Sequence, residues 1–194
     1  MVNSIGFNKL KTAVFISGTG SNLKKLIEFS LTKKSPIEIV LVISNNNKAK
    51  GLNFAKKFKI KKKFFKLNNS NTDENKILKY LKKNKIKLIC LAGFMKILSG
   101  TFIKKFKGKI LNIHPSLLPK YKGLNTHERA LKNKEKFSGC TVHFVTPKLD
   151  SGKIIIQKKV NIKKNDTPKK LGKRILKQEH ILYAKAIMKL FSSP

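Results

Sequence analysis

The sequence predicts an α/β fold in a single domain: a mostly parallel sheet with helices on both faces and an antiparallel C-terminal part. Three observations predict it. Short apolar runs alternate with helix-period segments from residue 11 to about residue 110. The first of these runs enters a glycine turn, as a buried strand feeding a helix does. Beyond about residue 111 the alternation stops, and two strand-like runs face each other across a tight turn. With 194 residues, no linker and no repeat, the chain is read as one domain over 1–194, with halves of about 11–110 and 111–194.

Taken in order, 11–17 (KTAVFIS) is the first strand, and Ser21 is the expected N-cap of a helix whose inner face carries Leu23, Leu26, Ile27 and Leu31. A strand over 37–43, a helix over 48–58 and a strand over 60–67 follow. Next come a helix over 73–83, with Ile77, Leu78 and Leu81 inward, and a strand over 86–92. Strands separated by helices imply parallel pairing through right-handed crossovers. A strand over 109–113 leads into a Pro- and Gly-rich loop to about residue 124, and His127 heads a short helix. The runs 139–145 and 153–160 pair antiparallel across 147–152. A last helix over 167–191 spaces Ile175, Ile181, Leu182, Ile187 and Leu190 at helical intervals.

Composition narrows the function classes. A 40% hydrophobic content argues against global disorder, and no apolar run is long enough to span a membrane. The opening MVNSIGFNKL lacks the apolar stretch of a secretory signal, so a cytoplasmic location is expected. Cys90 and Cys140, each in an apolar run, read as buried reduced thiols. The net charge of +36 would attract nucleic acid. Yet only Arg129 and Arg174 among the 45 basic residues are arginines, and the lysines divide almost evenly between the halves. A nucleic-acid protein favours Arg forks and a concentrated arm or stripe. The lysines therefore read as solvated surface, in a chain also rich in Asn, Ile and Phe.

Two stretches carry the chemistry. In S-G-T-G-S-N, 17–22, Gly18 and Gly20 let the backbone bend and let an anion approach closely. The helix beginning at Ser21 turns N–H groups and the positive end of its dipole toward that anion, with Ser21 and Asn22 adding side-chain donors. The third Gly of a dinucleotide fingerprint and the Gly-Lys-Ser/Thr of a Walker loop are both missing, so a monophosphate fits best. A simple tight turn is the alternative.

The second stretch pairs L-N-I-H-P-S-L-L-P, 111–119, with G-C-T-V-H-F-V-T-P-K-L-D-S-G, 139–152. Asn112 and His114 are two apart at a strand end, so both point to one side. Asp150 sits in a turn. An amide, an imidazole and a carboxylate suit acyl transfer to an amine without a covalent intermediate. Asn112 donates to the oxyanion, His114 stabilises it or delivers a proton, and Asp150 raises the His114 pKa. Ser116 lacks the G-x-S-x-G elbow of a serine nucleophile. His127 reads as an accessory contact, His143 and His180 as packing. No pair has metal-ligand spacing, so no metal is expected.

Together with L-A-G-F-M-K-I-L and Q-E-H, these motifs run in order from about residue 11 to 185, and the chain resembles the glycinamide ribonucleotide formyltransferases. The resemblance implies a Rossmann-like formyltransferase fold with a seven-stranded sheet, acting in purine biosynthesis with 10-formyltetrahydrofolate as co-substrate and no metal. It makes Asn112, His114 and Asp150 catalytic, and gives Gly20, Ser21, Asn22 and Glu179 to the ribonucleotide. The folate would lie along Met95, Lys96, Ile97 and Leu98, beside Asn112, and along the loop Thr146, Pro147, Lys148, Leu149 and Asp150. Expected partners are these small molecules, with no specific nucleic acid and no membrane; a monomer or a homodimer would serve.

Three departures stand out. No Arg occurs in 70–76, where family members commonly carry one facing the folate, leaving Lys76 as a point-charge substitute. Position 125 is Asn where some members have His. The chain also stops soon after its last helix. Two sister enzymes share the Asn–His–Asp core. Formyltetrahydrofolate deformylase adds a regulatory domain before it and methionyl-tRNA formyltransferase an RNA-binding domain after it; neither extension is expected here. The G-L-N-T-H-E-R-A-L run, 123–131, also fits the ribonucleotide type. A basic RNA-binding protein is the alternative from a different class.

Overall fold

A computed structural model describes residues 9–67 and 70–192. Thirteen elements follow in chain order: β1 (Leu10–Ile16), α1 (Ser21–Ser30), β2 (Ile37–Ser44), α2 (Leu52–Lys57), β3 (Lys61–Phe64), α3 (Ser70–Lys83), β4 (Leu88–Leu91), α4 (Gly100–Lys105), β5 (Lys109–His114), α5 (Thr126–Lys132), β6 (Phe137–Phe144), β7 (Ile154–Asn161) and α6 (Pro168–Phe191). The strands form one seven-stranded sheet in the order β3-β2-β1-β4-β5-β6-β7. All pairs from β3 to β5 are parallel, and β5–β6 and β6–β7 are antiparallel. The Rossmann-like sheet and its antiparallel tail are as expected.

The central strands are apolar without alternation because both faces are covered. Val14, Cys90 and Leu111 face α1 and α6, while Ala13, Phe15, Ile89 and Ile110 face α3 and α4. Helix α1 buries Leu23, Leu26, Ile27 and Ser30, an i, i+3, i+4, i+7 stripe, and leaves Lys24 and Lys25 to pair with Glu28 at the surface. Helix α6 starts at a Thr167 cap that accepts the Lys170 N–H, with Pro168 at its first position. Its inner row is Leu171, Ile175, Glu179, Leu182 and Ala186, so one carboxylate occupies a core-facing position. The Tyr183 hydroxyl, fully buried, shares its proton between the carbonyls of Leu91 and Leu111 and ties α6 to β4 and β5.

Several expectations are corrected. Gly20, not Ser21, is the N-cap of α1, because it takes the left-handed conformation (φ 75°) that swings the chain into the helix. Leu31 follows the helix and is exposed, as is Ile181, which lies off the inner row of α6. Helix α2 and strand β3 are shorter than read, and the edge strand β3 (KKKF) is wholly exposed. Helix α4 has no counterpart in the sequence reading. Its six residues begin at a glycine and are too few to show a period, and only the Ser99 side chain, accepting the Phe102 N–H, marks its start. Cys90 and Cys140 are free and buried, and burial pushes both thiols up to about 12.

Candidate active site

The chain runs outward from β1 to β3 and then returns to place β4 on the other side of β1. Beyond the carboxyl ends of the strands at such a reversal, neighbouring loops diverge and leave a crevice. A cleft of about 780 Å³ opens there. It is lined by Gly18–Asn22 after β1, Leu91–Leu98 after β4, Asn112–Pro115 at the end of β5, and the loop before α5. Residues from β6, from the turn after it and from α6, including Glu179, complete it. Every site residue expected from the sequence lines this cleft except Lys148, which is exposed and outside the lining. Lys76 is also outside it, on the surface of α3, 3.8 Å from the Asp73 carboxylate.

Asn112, His114 and Asp150 converge although 38 positions separate the first from the last. His114 Nδ1 lies 3.4 Å from Asp150 Oδ2, and His114 Nε2 is 2.8 Å from the Tyr121 carbonyl. Burial lowers the His114 pKa below its ordinary value, while the Tyr121 carbonyl and then Asp150 pull it back up. Asp150 thus acts in the expected direction, but desolvation outweighs it, and the expectation of a raised pKa is corrected. Either neutral tautomer leaves one ring nitrogen's lone pair facing an oxygen, so the ring is poised to take a proton once charge develops nearby.

Asp150 is held on three sides. Its φ of 45° is in the left-handed region, a strained backbone for a non-glycine residue that aims the carboxylate back across the turn. Burial raises its pKa, but the hydrogen bond with His143, the Gly123 N–H donating at 2.9 Å and the charge of His114 win, and the net shift is downward. It therefore stays ionised beside the imidazole.

His143 is the residue the sequence reading undervalued. It is 2% exposed, pairs across from Asn112 in the β5–β6 ladder, and lies 3.6 Å from Asp150 Oδ1 through Nε2. Its Nδ1 lies 2.7 Å from the Phe144 carbonyl, and its Nε2 is also 3.2 Å from the Asn112 amide nitrogen. That contact sets the Asn112 amide beside the ring. Only the antiparallel register of β6, which composition does not reveal, places it there. His127 lines the cleft from α5 and packs against Gly172 of α6, and His180 lies outside the lining. Among the described residues, no group of three or more His, Cys, Asp or Glu could hold a metal ion.

At the other end of the cleft, Gly20 presses on α2: a Cβ there would lie 2.5 Å from Gly51 Cα, and the Gly51 N–H donates to the Gly18 carbonyl at 3.0 Å. The turn and the first residues of α1 line the cleft, where the sequence reading expects an anion to be held. The Asn22 side chain is partly engaged elsewhere, however. Its Nδ2 donates to Glu179 Oε2 at 2.7 Å, joining α1 to α6 across 157 positions. Burial raises the Glu179 pKa, and the Asn22 hydrogen bond opposes it.

A family model for formyl transferases matches residues 10–187, nearly the whole chain. The chain belongs to the formyl transferase family. This formyl transferase is 45% identical over 176 residues to a phosphoribosylglycinamide formyltransferase of Haemophilus influenzae, covering 89% of the chain and 83% of that protein. It is also 45% identical over 183 residues to a trifunctional purine biosynthetic protein adenosine-3 of Gallus gallus, of which it spans only 18% of the length. Among solved structures, the phosphoribosylglycinamide formyltransferase of Brucella melitensis superposes with a TM-score of 0.90 at 43% identity, covering 96% of this chain and 98% of the other.

Proposed function

We propose that this formyl transferase moves the formyl group of 10-formyltetrahydrofolate onto the amine of glycinamide ribonucleotide, giving formylglycinamide ribonucleotide and tetrahydrofolate. One observation carries the reading: the Asn112–His114–Asp150 group and the Gly18–Asn22 cradle share one cleft, with an apolar wall at Met95–Leu98 beside them. A phosphate held at the cradle directs the rest of a small ribonucleotide toward the trio. A flat heterocycle finds contact area and backbone hydrogen-bonding groups along that wall.

In this reading the amine attacks the formyl carbon, its carbonyl oxygen becomes an oxyanion, and collapse expels the folate nitrogen. Asn112, oriented by His143, donates to the oxyanion. His114 takes the proton that the attacking amine loses and passes it to the leaving nitrogen, with Asp150 and the Tyr121 carbonyl steadying the imidazolium in between. Glu179 would meet the ribose. The small-molecule partners, a cytoplasmic location and action as a monomer or homodimer belong to the same proposal.

The deciding experiment follows folate conversion by absorbance with and without glycinamide ribonucleotide. Formyl transfer saturable in both substrates supports the proposal. Equal conversion without the nucleotide would mean hydrolysis. Steep salt-dependent RNA binding with no folate turnover would mean a nucleic-acid protein.

A further inference from the structure

Residues 95–99 form neither strand nor helix. Met95 and Ile97 are 68% and 73% exposed, and Leu98 is the one side chain of 95–98 that sinks into the core. A wall of this kind has no ladder or helix of its own to fix its position. Two side chains that do not line the cleft grip its ends instead.

At the first end, the Ser17 hydroxyl accepts the Met95 N–H at 2.8 Å and donates its one proton to Asn45 Oδ1 at 2.6 Å. At the other end stands Glu74 of α3, a carboxylate only 4% exposed. Its Oε1 accepts the Ser99 N–H at 2.8 Å, and its Oε2 accepts the Ser99 hydroxyl proton. The Ser99 oxygen in turn caps α4 by accepting the Phe102 N–H at 3.0 Å. One buried carboxylate thus fixes both the residue that follows the wall and the first turn of the helix after it. That turn backs onto the opposite wall, because a Cβ on Gly100 would sit 3.4 Å from Pro147 Cβ.

Burying a carboxylate is costly unless strong donors surround it, and charge-assisted bonds are about twice as strong as neutral ones. The geometry places Glu74 where that strength is spent on one short segment. We infer that Glu74 and Ser17 are positioning residues that hold the Met95–Leu98 wall against the 146–150 loop, and so set affinity for the folate co-substrate rather than the rate of chemistry. This rests on the reading of that wall as the folate slot.

The test is steady-state kinetics on the full chain, with 10-formyltetrahydrofolate varied at saturating ribonucleotide and the reverse, for wild type, Glu74→Gln, Glu74→Ala and Ser17→Ala. In Glu74→Ala and Ser17→Ala the folate KM rises about tenfold, the scale of losing a hydrogen bond that fixes a binding surface. In the Glu74 variants kcat and the ribonucleotide KM stay within about twofold. Glu74→Gln falls between, since its amide oxygen still accepts the Ser99 N–H but its NH₂ cannot accept the hydroxyl proton. A thermal melt accompanies each variant, and if Glu74→Ala does not fold cooperatively, Glu74→Gln and Ser17→Ala decide. An unchanged folate KM, or kcat and both KM values shifting together, overturns the inference while leaving the proposed function standing. A wild type that cannot turn over the folate overturns both.

Discussion

Adding one methyl group at Gly20 probes the anion cradle most directly. The new Cβ would lie 2.5 Å from Gly51 Cα, a backbone atom that cannot rotate away. Ordinary carbon contacts begin near ~3.5 Å, so the turn and α2 must separate by about 1 Å. The φ of 75° adds about 1–2 kcal/mol for a residue with a Cβ in the left-handed region. Overpacking adds about 1–3 kcal/mol more. Gly20→Ala should therefore lower the unfolding free energy by about 2–5 kcal/mol, a large part of the ~5–15 kcal/mol typical of a domain. On the proposed function it should also raise the ribonucleotide KM at least about tenfold, because the N–H groups would move off the phosphate. Gly18→Ala is the control: nothing lies within 4 Å of its added Cβ, and stability should change little. Urea denaturation and initial-rate kinetics on the two variants read both quantities. If Gly20→Ala matches wild type in stability and KM, the close packing of cradle on α2 does not shape the site.

Other substitutions test the remaining chemistry. His114→Ala should lower kcat about 10²–10⁴-fold with an unchanged melt, and wild-type turnover would remove the imidazole from the mechanism. Asp150→Asn removes a charge that favours the protonated ring, so His114 should lose its proton at a lower pH than in wild type. An NMR titration of the ring that shows no movement would assign Asp150 a purely steric role. Glu179 has a folded pKa raised by burial, so its ionised form disfavours folding, and stability falls as pH rises from the ordinary carboxyl value through the raised one. Glu179→Gln should then stabilise the protein at pH 7, with the gain shrinking toward pH 4, while weakening ribonucleotide binding. Urea midpoints that shift equally at both pH values would refute that account.

Most of the fold was legible in the sequence because the buried strands and amphipathic helices repeat apolar residues at two distinct periods. The run 11–17 and the stripe Leu23, Leu26, Ile27 announce themselves in this way. Helix α4 did not, since six residues carry no period and its start depends on the distant Glu74. The Asn112, His114 and Asp150 positions stood out as residue types in short motifs. His143 did not, because its meaning comes from lying opposite Asn112 in a strand register that only the folded sheet defines. The Asn22–Glu179 bond was hidden for the same reason: the two residues are 157 positions apart. Local chemistry could be read, and long-range pairing could not.

The bond between Asn22 and Glu179 also has a bearing on how the protein is made. A ribosome releases the cradle 157 positions ahead of the carboxylate that braces it, and Tyr183, which pins α6 to β4 and β5, emerges after both. A nascent chain can fold its parallel strands long before it owns a finished pocket. On the proposed function, the pocket for the nucleotide is then completed in one step, when α6 docks, and fraying of α6 would undo it.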